Sequence, residues 1–272
     1  MTLTREGLFE DAPRTWTGGV LRMAFAYCTR VGRCVRLAAE GIASIPAALM
    51  RRDGRAATWE ALYTTGIRTL PVVSIVALFT GMILGLQVGL QLSRFNQESY
   101  LGAAVMASLL REMGPFVTGV CLSACVGSQI AAELGAMTVN DEIAALEIMS
   151  VNPVRYLVAP RMTGLLVMSP LLAFYACVLG CIGGGVVGWT QLNVDFRQFI
   201  ASALSISDVK DLLTGLFKAF GCGLIIGAVS CHEGFATTAG ATGVGRSTQR
   251  CVIIAFVLIL MFGYMLDRFC YY

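Results

Sequence analysis

The amino-acid sequence predicts an all-α integral membrane protein. About five helices cross the bilayer, with an amphipathic interfacial helix before them and a cytoplasmic helix between the second and third. Three observations lead there. First, 56% of the 272 residues are hydrophobic and 14% charged, with mean hydropathy +0.72, whereas soluble domains are about 45–50% apolar and roughly 25% charged. So little charge cannot cover a water-facing surface. Second, the 20 Lys and Arg and 17 Asp and Glu are unevenly spread and leave long charge-free windows. Third, the basic residues gather on alternate connections. The composition excludes low-complexity disorder and a disulfide-stapled secreted fold, and a net charge of +3 is too small to argue for nucleic acid.

Residues 1–60 form a cytoplasmic and interfacial segment, and 61–272 the transmembrane domain. Glu6, Glu10 and Asp11 occupy the first stretch with no apolar run close behind, so no signal peptide is expected. From Gly18 to Met50, Arg22, Arg30, Arg33, Arg36 and Glu40 recur at helical spacing, with Leu21, Phe25, Cys28, Val35 and Leu37 on other faces. That pattern suits a helix lying in the membrane interface or a small cytoplasmic cap.

About 20 apolar residues cross the hydrocarbon core. Residues 69–93 carry no charge and make the first span. Residues 99–110 and 113–132 flank Arg111–Glu112 and make the second, with a break expected at Gly114–Pro115. Residues 162–194 make the third, and 212–232, interrupted only by Lys218, the fourth. Residues 251–266 make the fifth, with Arg250 and Asp267 as its interfacial ends. With the N-terminus cytoplasmic, 14 Lys and Arg lie on that side and four (Arg94, Arg197, Lys210, Arg268) on the other. Basic residues favour the cytoplasmic side, so the C-terminus is expected on the outer side of the membrane.

The ten cysteines sit mostly in apolar windows. Cys121 and Cys125, like Cys177 and Cys181, are four apart and read as small packing residues. A shared face could hold a metal, but no histidine or carboxylate cluster stands nearby in sequence. Glycines recur every four residues at Gly81, Gly85 and Gly89, at Gly180, Gly184 and Gly188, and at Gly223 and Gly227. Such stripes let helices approach closely, within one subunit or between two. Gly240-Ala-Thr-Gly-Val-Gly245-Arg246-Ser247 mimics a phosphate loop, but it lies between two spans and lacks the strand that motif requires. Any ATP use therefore belongs to a partner, and no cofactor is expected.

Arg111, Glu112 and Lys218 are charges inside spans. Such groups usually face a cavity, a partner charge or a substrate path; here they either line a cavity or lie near the surface and neutralise one another. An anionic headgroup would suit Arg111 and Lys218. Between the second and third spans, Asn140 is placed to cap a helix with Asp141 and Glu142 in its first turn. Ile143, Leu146 and Met149 make an apolar ridge, and Pro153 ends the helix. The ridge either docks into a groove on a cytoplasmic partner or tucks against the chain's own spans.

These residues carry a family resemblance. Arg111-Glu-Met-Gly-Pro115, Gly127-Ser128, Ala131-Ala-Glu133-Leu-Gly135, Val151-Asn-Pro153 and Leu157-Val-Ala-Pro160-Arg161 closely resemble the MlaE-type (YrbE) permeases of lipid ABC transporters. Cys231-His-Glu-Gly234 and Gly240-Ala-Thr-Gly243-Val-Gly245 resemble that family's loop before the last span. The match runs from about residue 60 to the C-terminus, and its ordered set of motifs is more specific than any one of them.

The resemblance implies a homodimeric inner-membrane permease that moves phospholipid or related lipids between the inner membrane and the outer envelope. It implies a pair of cytoplasmic ABC ATPase subunits and a ring of periplasmic MCE-domain proteins as partners. The family's charged cavity residues map onto Arg111, Glu112 and Lys218. Its coupling helix maps near residues 133–150, with Glu133, Asp141, Glu142, Ile143, Leu146 and Glu147 toward the ATPase. Departures are Cys125, where the family usually has arginine, Ala239 in its Gly-Gly-Ala, and His232 in place of an aromatic residue. A scaffold for envelope proteins without ATP-driven transport is the alternative. A membrane-embedded lipid enzyme is a weaker one, since His232 has only Glu233 as a near acidic neighbour.

Overall fold

A computed structural model describes residues 32–45, 52–192, 194–206, 208–238 and 240–271. All regular structure among them is helical. Helix α1 (32–45) precedes α2 (Arg52–Gly66) and α3 (Leu70–Ser93). The second span is one continuous helical run, Glu98–Val139. It contains α4 (Leu101–Ser108), α5 (Gly114–Leu122) and α6 (Ser128–Val139), joined by widened π turns at Leu109–Met113 and Ser123–Gly127. The short α7 (Glu142–Ile148) follows, then a third π turn, Val154–Val158, leading into α8 (Ala159–Gln191). Helix α9 (Phe196–Ile206) joins α8 to α10 (Val209–Phe235), and α11 (Gly240–Tyr271) closes the chain. Five helical runs are long and apolar enough to cross a membrane, as the charge-free windows predict. Because successive spans alternate in direction, α1 and α7 lie at one end of the bundle and α9 at the other.

Several expected boundaries move. The break at Gly114–Pro115 is absent, because the π turn before it accommodates the proline without stopping the helix. Pro153 does not end α7: the helix stops at Ile148, and Ser150 at φ 59° has already turned the chain. Asn140 closes α6 by donating its N–H to Ala136 O, and Asp141, left-handed at φ 59°, is the N-cap of α7 with no side-chain cap bond. The segment from Gly240 is the first turns of α11 rather than a loop; Gly240 at φ 65° supplies the turn into it. Of the expected interfacial helix, residues 32–45 are helical; Leu21, Arg22, Phe25, Cys28 and Arg30 lie outside the described residues.

The glycine stripes explain why α3 and α8 pair. Val73, Ala77, Gly81, Gly85 and Gly89 recur every four residues and are all buried. A Cβ on Gly81 would lie 1.9 Å from the Gly180 carbonyl oxygen, and one on Gly85 2.8 Å from Gly184 Cα. Backbones meet directly there, so these stripes serve packing within one subunit. The opposite face of α3 exposes Ile75, Phe79 and Ile83, and α11 exposes Phe256, Val257, Leu260 and Met261. Apolar faces open to the surroundings are what a hydrocarbon solvent permits.

The main core lies among α5, α6, α8, α10 and α11, with Leu122, Leu134, Met162, Leu165 and Ile226 at 0% exposure. A second cluster toward the α9 end joins Leu101, Val105 and Leu109 to Phe199 of α9. At the other end α1 packs on the bundle through Ala38 and Gly41, the latter facing Val158 and Met162.

Candidate functional site

Helix α10 carries one polar stripe. Asp211, Gly215, Lys218 and Cys222 are buried and fall on one face at helical spacing. Gly215 lets that face approach the π turn of the second span: a Cβ there would sit 2.3 Å from Leu110 O. The approach brings Asp211 Oδ2 to 2.9 Å from Arg111 Nε. It also brings Lys218 Nζ to 3.0 Å from Glu112 Oε1 and 2.7 Å from the Arg111 carbonyl oxygen. Lys218 further donates to Asp267 of α11.

Pro115 lies four residues after that carbonyl. In an α-helix residue 115 would donate its N–H to the carbonyl of residue 111. Pro115 has no N–H, and Lys218 supplies a donor to that carbonyl instead. The ammonium, with its three protons, therefore meets one backbone acceptor and two carboxylates. Its side chain is 3% exposed. Lys218 is a tie between the second, fourth and fifth spans, and its Nζ is fully engaged by the protein.

The five charged residues thus comprise two cations and three carboxylates. Arg111, Glu112 and Lys218 come together as the sequence suggests. Asp211 and Asp267 complete the group and are not foreseen; Asp267 turns inward to Lys218 instead of marking an interfacial end. Arg111 and Glu112 are the open members, with side chains 48% and 47% exposed.

At the other end of the second span, Glu133 Oε2 accepts from Arg161 Nη2 at 3.0 Å, and its Oε1 from Gln129 Nε2 at 2.8 Å. Arg161 also donates Nη1 to Leu157 O at 3.0 Å. This pair clasps the two stems that carry α7 and the turn after it. On α7, Asp141, Glu142 and Glu147 are exposed, while Ile143 and Leu146 are half-buried against the main core. The predicted ridge is therefore divided: its first two residues anchor the helix, and Met149 joins Ile148 in the open, at 63% and 84% exposure. A groove of about 520 Å³ separates α7 from α1, with Leu37, Glu40, Ile143, Glu147, Pro153 and Phe235 among its walls.

Comparison with known proteins decides what bundle this is. The family model described as "Permease MlaE" matches residues 58–269. The chain belongs to the MlaE permease family. The permease is 36% identical over 203 residues to a probable ABC transporter permease protein of Rickettsia typhi, covering 75% of this chain and 78% of the relative. It is 32% identical over 206 residues to the intermembrane phospholipid transport system permease protein MlaE of Haemophilus influenzae, covering 75% and 79%. A probable ABC transporter permease protein of Synechocystis is 31% identical over 219 residues, covering 80% and 83%. The matched region includes all five spans from the middle of α2 onward, with both the charged group and α7.

Proposed function

We propose that this permease is the membrane-spanning subunit of an ABC transporter that moves phospholipid, driven by ATP hydrolysis in a separate cytoplasmic ATPase. One observation carries the proposal. The continuous run Glu98–Val139 holds Arg111 and Glu112 toward one end and leads directly into α7 beyond the other. A displacement of α7 by a bound ATPase is thereby delivered along a single helical element to the charged group. The name of the Haemophilus relative, an intermembrane phospholipid transport system permease, supplies the substrate class.

In this proposal the α7 end is cytoplasmic, the C-terminus is periplasmic, and two copies pair so that their open charged groups share a central lipid path. An MCE-domain protein receives or delivers lipid at the α9 end. Ile148 and Met149 make the apolar contact with the ATPase, flanked by Asp141, Glu142 and Glu147; Glu133 holds the stem. Arg111 and Glu112 meet the headgroup, and Lys218 holds the walls in place.

The test is gentle purification of the full chain from its own membrane. The native protein should bring an ABC ATPase with it, and Ile148→Asp combined with Met149→Asp should lose that subunit without altering the thermal unfolding of the permease. Both residues are so exposed that the fold does not depend on them. Native protein that purifies intact with envelope proteins and no ATPase would favour a scaffold and contradict the proposal.

A further inference from the structure

We propose that the open charged pair selects phospholipids whose headgroup carries both a phosphate and an ammonium, in preference to headgroups that are only anionic. The inference rests on the lipid path proposed above and names its substrate class. Four observations support it.

Lys218 is withdrawn from ligand binding, being buried and bonded to the Arg111 carbonyl, Glu112 and Asp267. An anionic headgroup therefore cannot be held between Arg111 and Lys218, as the sequence alone suggests. The half-open members of the ion-paired group are instead one cation and one carboxylate, Arg111 and Glu112, each with about half its side chain open. They are adjacent in the chain, so their Cα atoms lie about 3.8 Å apart, and a headgroup with an ammonium two carbons beyond a phosphodiester can reach both. Two carboxylates stand beside Arg111, Asp211 at 2.9 Å and Glu112 next in the chain, so a bare anion approaching the guanidinium also meets their field. An ammonium turns that same field into attraction. The guanidinium can give parallel N–H groups to phosphate oxygens, and Glu112 accepts from the ammonium.

The test uses the full-length permease with its co-purifying subunits, reconstituted into nanodiscs of equimolar phosphatidylethanolamine and phosphatidylglycerol with identical acyl chains. After detergent extraction and washing, the lipid retained per protein is measured by mass spectrometry. The native protein should retain the ethanolamine lipid over the glycerol lipid by about threefold, as expected for one partly exposed charge contact. Glu112→Gln should abolish the preference, Glu112→Asp should keep it, and Arg111→Gln should lower retention of both lipids.

Equal retention, a preference for the glycerol lipid, or a preference that survives Glu112→Gln would overturn the inference while leaving the lipid path standing. If neither lipid stays with the native protein above the level on an unrelated membrane protein, the lipid path falls and this inference with it. Glu112→Asp also controls for folding, since it keeps a carboxylate beside Lys218.

Discussion

Replacing Lys218 by methionine is the sharpest structural perturbation available. Methionine fills most of the same volume but leaves Glu112, Asp267 and the Arg111 carbonyl without their shared donor. Removing one partner from a buried ion pair costs about 3–5 kcal/mol, and a neutral hydrogen bond contributes about 1 kcal/mol more. Side-chain exposures of 47% for Glu112 and 29% for Asp267 let water recover part of that loss. A net destabilisation of roughly 2–4 kcal/mol follows. For a chain of this size that corresponds to a Tm lower by roughly 5–15 °C.

The protein contains its own reporters for the measurement. Cys121, Cys177, Cys222, Cys231 and Cys251 are buried free thiols, so a thiol-reactive dye that fluoresces on coupling follows unfolding in detergent directly. Asp267→Asn alone should cost less than Lys218→Met. The double variant should cost less than the sum of the two, because the second substitution removes a carboxylate already orphaned by the first. An unchanged melting profile for Lys218→Met, or strictly additive losses, would refute the role of Lys218 as the tie between three spans.

Two further predictions follow from packing and burial. Gly81→Ala should destabilise by about 1–3 kcal/mol through forced separation of α3 and α8; Gly245→Ala, with nothing within 4 Å of the new Cβ, should be neutral or stabilising by up to about 1 kcal/mol. The same dye assay separates them. Burial, reinforced by Glu233 and Cys251, pushes the Cys34 thiol of α1 from 9.0 up to about 11. The folded state thus holds a proton that the unfolded state loses above 9, so docking of α1 keeps its full stability below that pH and weakens as pH rises through 11. Alkylation of Cys34 at pH 8 should be much slower than that of exposed Cys270, and equal rates would place Cys34 in water.

The five spans were legible because the absence of charge over about 20 residues is a signal along the chain itself. The stripe Gly81, Gly85, Gly89 was equally legible, though whether it faced α8 or a second subunit depends on contacts about a hundred residues apart. Boundaries were harder. Helix α8 alone has 33 residues, about 50 Å at 1.5 Å per residue, so its ends project beyond a hydrocarbon core of about 30 Å and need not be apolar.

In the charged group, Arg111, Glu112 and Lys218 stood out because they interrupt apolar runs. Asp211 and Asp267 sit at the edges of such runs, where a carboxylate reads as an interfacial end. The seven-residue spacing of Asp211 and Lys218, which puts both on one face of α10, was the available signal for the first. For Asp267 only the fold brings residues 49 positions apart together. Helix α9 is too short and too polar at its ends to show as a charge-free window. Phe196, Ile200 and Leu204 at four-residue spacing around Phe199 and Ala203 carried the amphipathic pattern.

The most direct test is transfer of a fluorescent phospholipid by the permease reconstituted in liposomes with its co-purifying ATPase. Movement should require ATP, and it should lose its ATP dependence in the Ile148→Asp, Met149→Asp variant while the protein stays folded. Lipid movement that is equally fast without ATP, or that persists with full ATP dependence in that variant, would contradict a stroke entering through α7 and reaching Arg111 along the second span.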